Sequence, residues 1–305
     1  MRTRFLAAAS VLLLAFVAGG CGGSGSSKHA NALVFVSTRE GPYELYTASA
    51  TGGDQHRLTN DKGDASKPSE LLYQIDPAWS PDGTRIAFAS SRSGQLEVYT
   101  VDASGKDTTQ LTRSKLEDRY PSWSPDGRRI AFAHGAPSRV YVMGADGRGV
   151  KPLTIGTDEQ IDPAWAPRGN WIAYSRRTPG ESVREIWIVH PDGSGARPVT
   201  KLEASSTQPA WSPDGTRIAF ASNVHGGHIA IYTIRLDGSG LQEVSASSPT
   251  DQIDPAWSPD GKTIVFSSDG ALVSVAPSGG TETVLTDGKD NDVSPAWNPA
   301  PAKGS

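Results

Sequence analysis

The sequence predicts an all-β fold, a six-bladed β-propeller of four-stranded blades closed by pairing of its N- and C-terminal strands. Three observations predict it: a Pro-Ala/Ser-Trp motif recurs six times at a near-constant interval, an apolar strand follows it, and turns rich in glycine and proline separate short strand-like runs. The motif reads PAWSPDG at 77–83, 209–215 and 255–261, PSWSPDG at 121–127, PAWAPRG at 163–169 and PAWNP at 295–299. Its tryptophans are Trp79, Trp123, Trp165, Trp211, Trp257 and Trp297, 44, 42, 46, 46 and 40 residues apart.

Each part of the repeat has its own chemistry. In the turn, proline presets φ, aspartate bonds its own backbone and glycine supplies a positive φ. The next strand is Ile86-Ala87-Phe88, Ile130-Ala131-Phe132, Ile172-Ala173-Tyr174, Ile218-Ala219-Phe220 or Ile264-Val265-Phe266. A variable loop leads to a further strand such as Glu97-Val98-Tyr99. A turn rich in Asp, Gly and Ser follows (192–195, 237–240), and a short fourth strand such as Gln110-Leu111-Thr112 ends the unit. The six tryptophans hold one strand position, which points to packing between blades rather than to a sugar platform. Leu33-Val34-Phe35 aligns with the second strand but has no motif before it, and Trp297 has its motif but no strand after it. A C-terminal strand near Ala296 is therefore expected to complete the blade begun at Leu33, which removes an exposed sheet edge.

The SPDG turn, the Ile-Ala-Phe strand and the downstream Leu-Thr together resemble the TolB-type propeller repeat, which also occurs in prolyl oligopeptidase-like enzymes. The resemblance covers nearly all of residues 31–299. It implies that the PAW strand lines the central channel. It also implies that the residues just before that strand share a face with the loops between second and third strands. TolB carries an additional α/β domain and the oligopeptidases an α/β-hydrolase domain; residues 22–30 are too few to supply either.

Composition narrows the rest. The single cysteine, Cys21, excludes an intramolecular disulfide. A net charge of −4 gives no basic surface for nucleic acid. Arg2 and Arg4 precede an apolar stretch, residues 5–17, that is short for a transmembrane helix, and Ala18-Gly19-Gly20 leads into Cys21. This resembles a bacterial lipobox, with alanine in place of the usual leucine three residues before the cysteine. Residues 1–20 are thus expected to be a lipoprotein signal peptide, with Cys21 lipidated. Residues 21–30 would then form a tether whose Gly/Ser-rich part spans on the order of 15–20 Å, residues 31–299 the propeller and residues 300–305 a tail. The chain is expected to be exported and held on the extracytoplasmic or periplasmic side of a bacterial membrane by its acyl chains alone.

Gln-Ile-Asp precedes the motif at residues 74–76, 160–162 and 252–254, so Asp76, Asp162 and Asp254 belong to alternate blades and face one channel mouth. Tyr120, Gln208 and Ser294 take that place in the blades between. Asp118, Glu159, Asp251, Asp290 and Asp292 lie a few residues upstream, and few bases stand among them. Three readings of the three aspartates remain open: bonds to backbone amides of the neighbouring blade, an acidic mouth for a basic partner, or a site for a hard cation such as Ca²⁺. No other cofactor is expected. The loops at 39–43, 91–94, 176–180 and 223–228 vary, and variable loops on a rigid scaffold are where specificity sits. His225 and His228 form the one close histidine pair, with no Cys, His or carboxylate cluster beside them in sequence.

No GxSxG, HExxH, CxxC or GxxxxGK[ST] motif occurs. The expectation is a monomeric, non-catalytic scaffold for an envelope protein or peptide. The alternatives are a glycan- or peptide-processing enzyme working at the channel mouth, with the same aspartates as its acids, and an accessory subunit of a membrane complex.

Overall fold

The computed structural model describes residues 32–60, 72–168, 170–245 and 249–299. The signal-peptide, lipidation and tail expectations, Cys21 among them, lie outside these residues. Six four-stranded antiparallel sheets stand around one axis and are numbered here I to VI in chain order. Blade II consists of Gln74–Trp79, Arg85–Ser90, Glu97–Asp102 and Thr109–Gln110, paired in that order. Blades III to VI repeat it, with first strands Asp118–Trp123, Glu159–Trp165, Ser206–Trp211 and Gln252–Trp257. These first strands contact one another around the ring, so the PAW strand is innermost.

Blade I is made from both ends of the propeller. Val293–Trp297 pairs with Leu33–Ser37, which places Trp297 opposite Leu33 and Ala296 opposite Val34. The closure expected from the sequence is present, and it leaves no innermost strand unpaired among the described residues.

The repeat residues account for themselves. In blade II, Ser80 Oγ donates to Asp82 Oδ1 at 2.6 Å and accepts from Arg85 N at 2.9 Å, while Asp82 Oδ1 also accepts from Thr84 N. Gly83 closes that turn at φ +66°. The downstream Leu-Thr has a different task. Thr112 Oγ1 accepts the backbone N–H of Val98 at 2.8 Å, and Thr59, Thr200, Ser245 and Thr286 repeat this bond in their blades. The fourth strand is therefore shorter than its sequence suggested: Thr109–Gln110 pairs with the third strand, and Leu111-Thr112 fastens the exit.

The core lies between blades. Phe35, Phe88, Phe132, Tyr174, Phe220 and Phe266, from the second strands, are all fully buried. Trp123 Nε1 donates to Ala78 O at 3.2 Å and Trp211 Nε1 to Ala164 O at 2.9 Å, each reaching an adjacent blade. Packing therefore explains these tryptophans.

Candidate functional site: the channel mouth

Every innermost strand carries a shift in register, in blade II between Ile75 and Ala78. The bulge re-aims the residue before proline. Asp76, Tyr120, Asp162, Gln208, Asp254 and Ser294 all sit at φ between +51° and +56°. Aspartate tolerates this left-handed conformation better than most residues, which gives a local reason for acid in three of the six places. Tyr120 and Gln208 hold it at a cost in strain.

The six residues, each followed by its proline, ring a cavity of about 150 Å³. Asp76, Asp162 and Asp254 enter it from blades II, IV and VI, as their spacing predicts. The ring is bonded from blade to blade. Asp76 Oδ2 accepts from Arg119 Nε at 3.3 Å and Tyr120 N at 3.4 Å. Asp162 Oδ2 accepts from Ser175 Oγ at 2.9 Å and Gln208 N at 3.1 Å. Gln208 then spans to blade VI, its Nε2 donating to Asp254 Oδ1 and its Oε1 accepting from Asp254 N. Ser294 Oγ donates to Asp254 Oδ2 at 2.9 Å. Bonding to the neighbouring blade is thus real for all three aspartates, yet Oδ1 of Asp76 and of Asp162 accepts no hydrogen bond from a described residue.

Burial pushes the Asp162 and Asp254 carboxyls up to about 6 and raises Asp76 as well; mutual repulsion adds to this at Asp162 and Asp254. The Arg119 guanidinium opposes the rise at Asp76 and stacks over Tyr120 at 4.6 Å. Arg119 is the base that sequence reasoning missed. Its only signal was its place beside Tyr120, one blade from Asp76.

The upstream acids add less to this field than expected, because each has a hydrogen-bond or ion-pair partner of its own. Arg39 donates to both oxygens of the fully buried Asp292 at 2.8 Å and lies 3.9 Å from Asp290. His134 bonds Asp118 at 2.6 Å. Glu159 is held by Arg177 and Arg184, and Asp251 accepts from Ile229 N. The histidine pair divides likewise: His225 meets Glu243 at 2.8 Å and His228 meets Asp251 at 3.6 Å. Among the described residues no group of three or more His, Cys, Asp or Glu stands close enough to hold a metal ion, the three mouth aspartates included. No described helix is long and apolar enough to cross a membrane.

A family model described as the TolB beta propeller domain matches residues 71–184 and 179–302. A protein TolB homolog of Chlorobium luteolum is 30% identical over 82 residues, 27% of this chain and 17% of that protein. The Tol-Pal system protein TolB of Hahella chejuensis is 36% identical over 64 residues, 20% of this chain and 15% of that one. The matches therefore span under a fifth of either relative's length. TolB from Acinetobacter baumannii superposes with a TM-score of 0.71 at 20% identity, over 89% of this chain and 67% of that one. An oligogalacturonate lyase in complex with manganese superposes with a TM-score of 0.57 at 14% identity, over 84% of this chain and 74% of that one. At these identities the likeness is one of fold, which hosts binding proteins and enzymes alike.

Proposed function

This chain belongs to the TolB β-propeller domain family, and we propose that it is an extracytoplasmic, non-catalytic scaffold that receives a basic protein or peptide segment at its channel mouth. One observation carries the reading: the mouth is a cavity of about 150 Å³ ringed by three carboxylates, two of which keep an oxygen that accepts no hydrogen bond from a described residue. Clefts for drug-sized ligands run to roughly 300–1,000 Å³. This one suits the tip of a single side chain or a chain end, and its charge favours a cationic one. The printed name of the Hahella chejuensis relative sets that protein in a system of named proteins, which accords with a protein partner here. Export and anchoring through Cys21 rest on the N-terminal sequence: the acyl chains would supply the membrane attachment and residues 21–30 the reach.

The test compares the wild type with Asp76→Asn/Asp162→Asn/Asp254→Asn in cross-linked capture from solubilised envelope. The expected outcome is one stoichiometric protein retained by the wild type and lost at least tenfold by the variant, which melts no lower than the wild type. Turnover of a glycan or peptide library, abolished by the same changes, would replace this reading with an enzymatic one. Release of the Cys21→Ser protein from the membrane fraction checks the anchor separately.

A further inference from the structure

On the face opposite the mouth, between the SPDG turns of blades II and III, lies a second cavity of about 760 Å³. It is bordered by the half-buried Trp123, by Arg85 and Thr100, and by the carboxylates of Asp82, Asp126 and Asp146. In Asp82 and Asp126 one oxygen holds the turn: Oδ1 accepts from Ser80 or Ser124 Oγ at 2.6 Å. Oδ2 of each accepts no hydrogen bond from a described residue. The serine bonds hold both carboxyls below the usual range, so they stay ionised.

The next groove around the ring shows what such a cleft takes. Between blades III and IV, the Arg129 guanidinium lies 4.7 Å from the centroid of the Trp165 ring. Arg85 holds the same repeat position in blade II, but its guanidinium turns away to donate to Thr100 Oγ1 at 2.9 Å and Asp107 O at 3.3 Å. The position of Thr100 is Val142 in blade III, so no hydroxyl draws Arg129 aside. The position of Asp126 is Arg168 in blade IV. One groove is thus filled by its own arginine, and the other has the same tryptophan, more acid and open space.

We propose that the groove between blades II and III is a second docking site, which takes an arginine side chain presented by an extended segment of a partner protein. The guanidinium plane stacks on Trp123 while its fork donates to the free carboxylate oxygens. Lysine, a strongly hydrated point charge, gains less from both contacts.

The test titrates the full chain with the capped peptides Gly-Arg-Gly and Gly-Lys-Gly and with maltose, following the Trp123 indole N–H resonance, assigned from its loss in Trp123→Phe. The arginine peptide is expected to shift that resonance saturably and at least fivefold more tightly than the lysine peptide. A second variant, Thr109→Arg, supplies a guanidinium from the exposed rim; blade IV already carries Arg197 at that position. It is expected to fold normally and to lose at least tenfold in peptide affinity. Equal binding of both peptides, no shift with either, a response to maltose alone, or full affinity in Thr109→Arg would each overturn the proposal. The triple asparagine variant of the mouth should bind the peptide unchanged, so this site stands or falls independently of the mouth.

Discussion

Blades II, IV and VI enter the channel mouth as Gln-Ile-Asp, whereas blades I and III enter it as Asp292-Val293-Ser294 and Asp118-Arg119-Tyr120. Between the two sets the carboxylate moves two residues along the same strand, and its fate changes. At the outer position it is buried and meets a side chain of its own blade, the Arg39 guanidinium or the His134 imidazole. At the ring it faces the channel and is tied to the next blade, with Arg119 as a charged partner for Asp76 alone of the three. Blade II fills the outer position with Gln74, whose Oε1 accepts from Arg92 at 2.9 Å. Arg92 also lies 4.8 Å over the Tyr99 ring, as Arg39 does over Tyr46. Blade V has neither arrangement. It places Ser206 there and Val224 where blades I and II have arginine, and the buried Ser206 and Ser222 hydroxyls have no hydrogen-bond partner. The lesson is that one backbone position accepts an acid, an amide or a hydroxyl, and in blades I, II and V the residue two places beyond the second strand decides whether it is satisfied.

The comparison can be broken most severely at blade I. Deleting residues 292–305 removes both Asp292 and the strand that covers Leu33–Ser37. The sharp thermal transition should disappear; a truncated protein that melts as sharply as the full chain would show that the closure is not needed. Arg39→Ala leaves a buried carboxylate alone and should cost about 3–5 kcal/mol by chemical denaturation. Arg92→Ala removes one hydrogen bond from an uncharged amide and should cost about 1–2 kcal/mol. Similar losses in the two variants would erase the distinction between the blades.

The ring aspartates carry the next largest effect. The Asp162 and Asp254 carboxyls rise to about 6 in the folded chain from an ordinary 3.8. Between about pH 4 and pH 6 the folded state therefore binds more protons than the unfolded one, and these two groups lower stability as pH rises through that window. Asp162→Asn/Asp254→Asn keeps an acceptor oxygen at both places and removes the penalty. Its stability relative to wild type, measured by chemical denaturation, should climb from pH 4 to pH 7 by on the order of 1–3 kcal/mol per group. A flat difference across that range would mean that the carboxyls are not raised. Smallest is Val224→Arg, which gives blade V the arginine of blades I and II. It should stabilise by about 0.5–1.5 kcal/mol by placing donors on the Ser222 hydroxyl and a guanidinium over Tyr232. A loss of stability would mean that the packing of Val224 outweighs those bonds.

Much of this was legible in the chain itself. The six motifs, the composite blade and the alternate-blade ring could be read because each repeat fixes its own backbone through contacts a few residues apart: serine on the turn aspartate, glycine at positive φ, threonine on the third strand. The face on which the ring lies was implied by the family resemblance; the structure adds the bulge before proline, which sets the aim of whichever residue stands there. Less legible was the charge balance of that face. Counting acids near the mouth suggested a broad negative field, and pairing reduced it to the ring.

By itself the sequence determined the number of blades, their order and the alternate-blade spacing of the three aspartates, all consequences of local turn and strand chemistry repeated at one interval; the innermost strand followed from the resemblance to the TolB-type repeat. The tertiary structure alone decided which charges are free. Arg119 reaches Asp76 across 43 residues and Arg39 reaches Asp292 across 253; the hydroxyl of Thr100 turns Arg85 away from Trp123 while Val142 leaves Arg129 over Trp165. Such pairings depend on side chains that meet only after the ring has closed, and no periodicity in the chain records them.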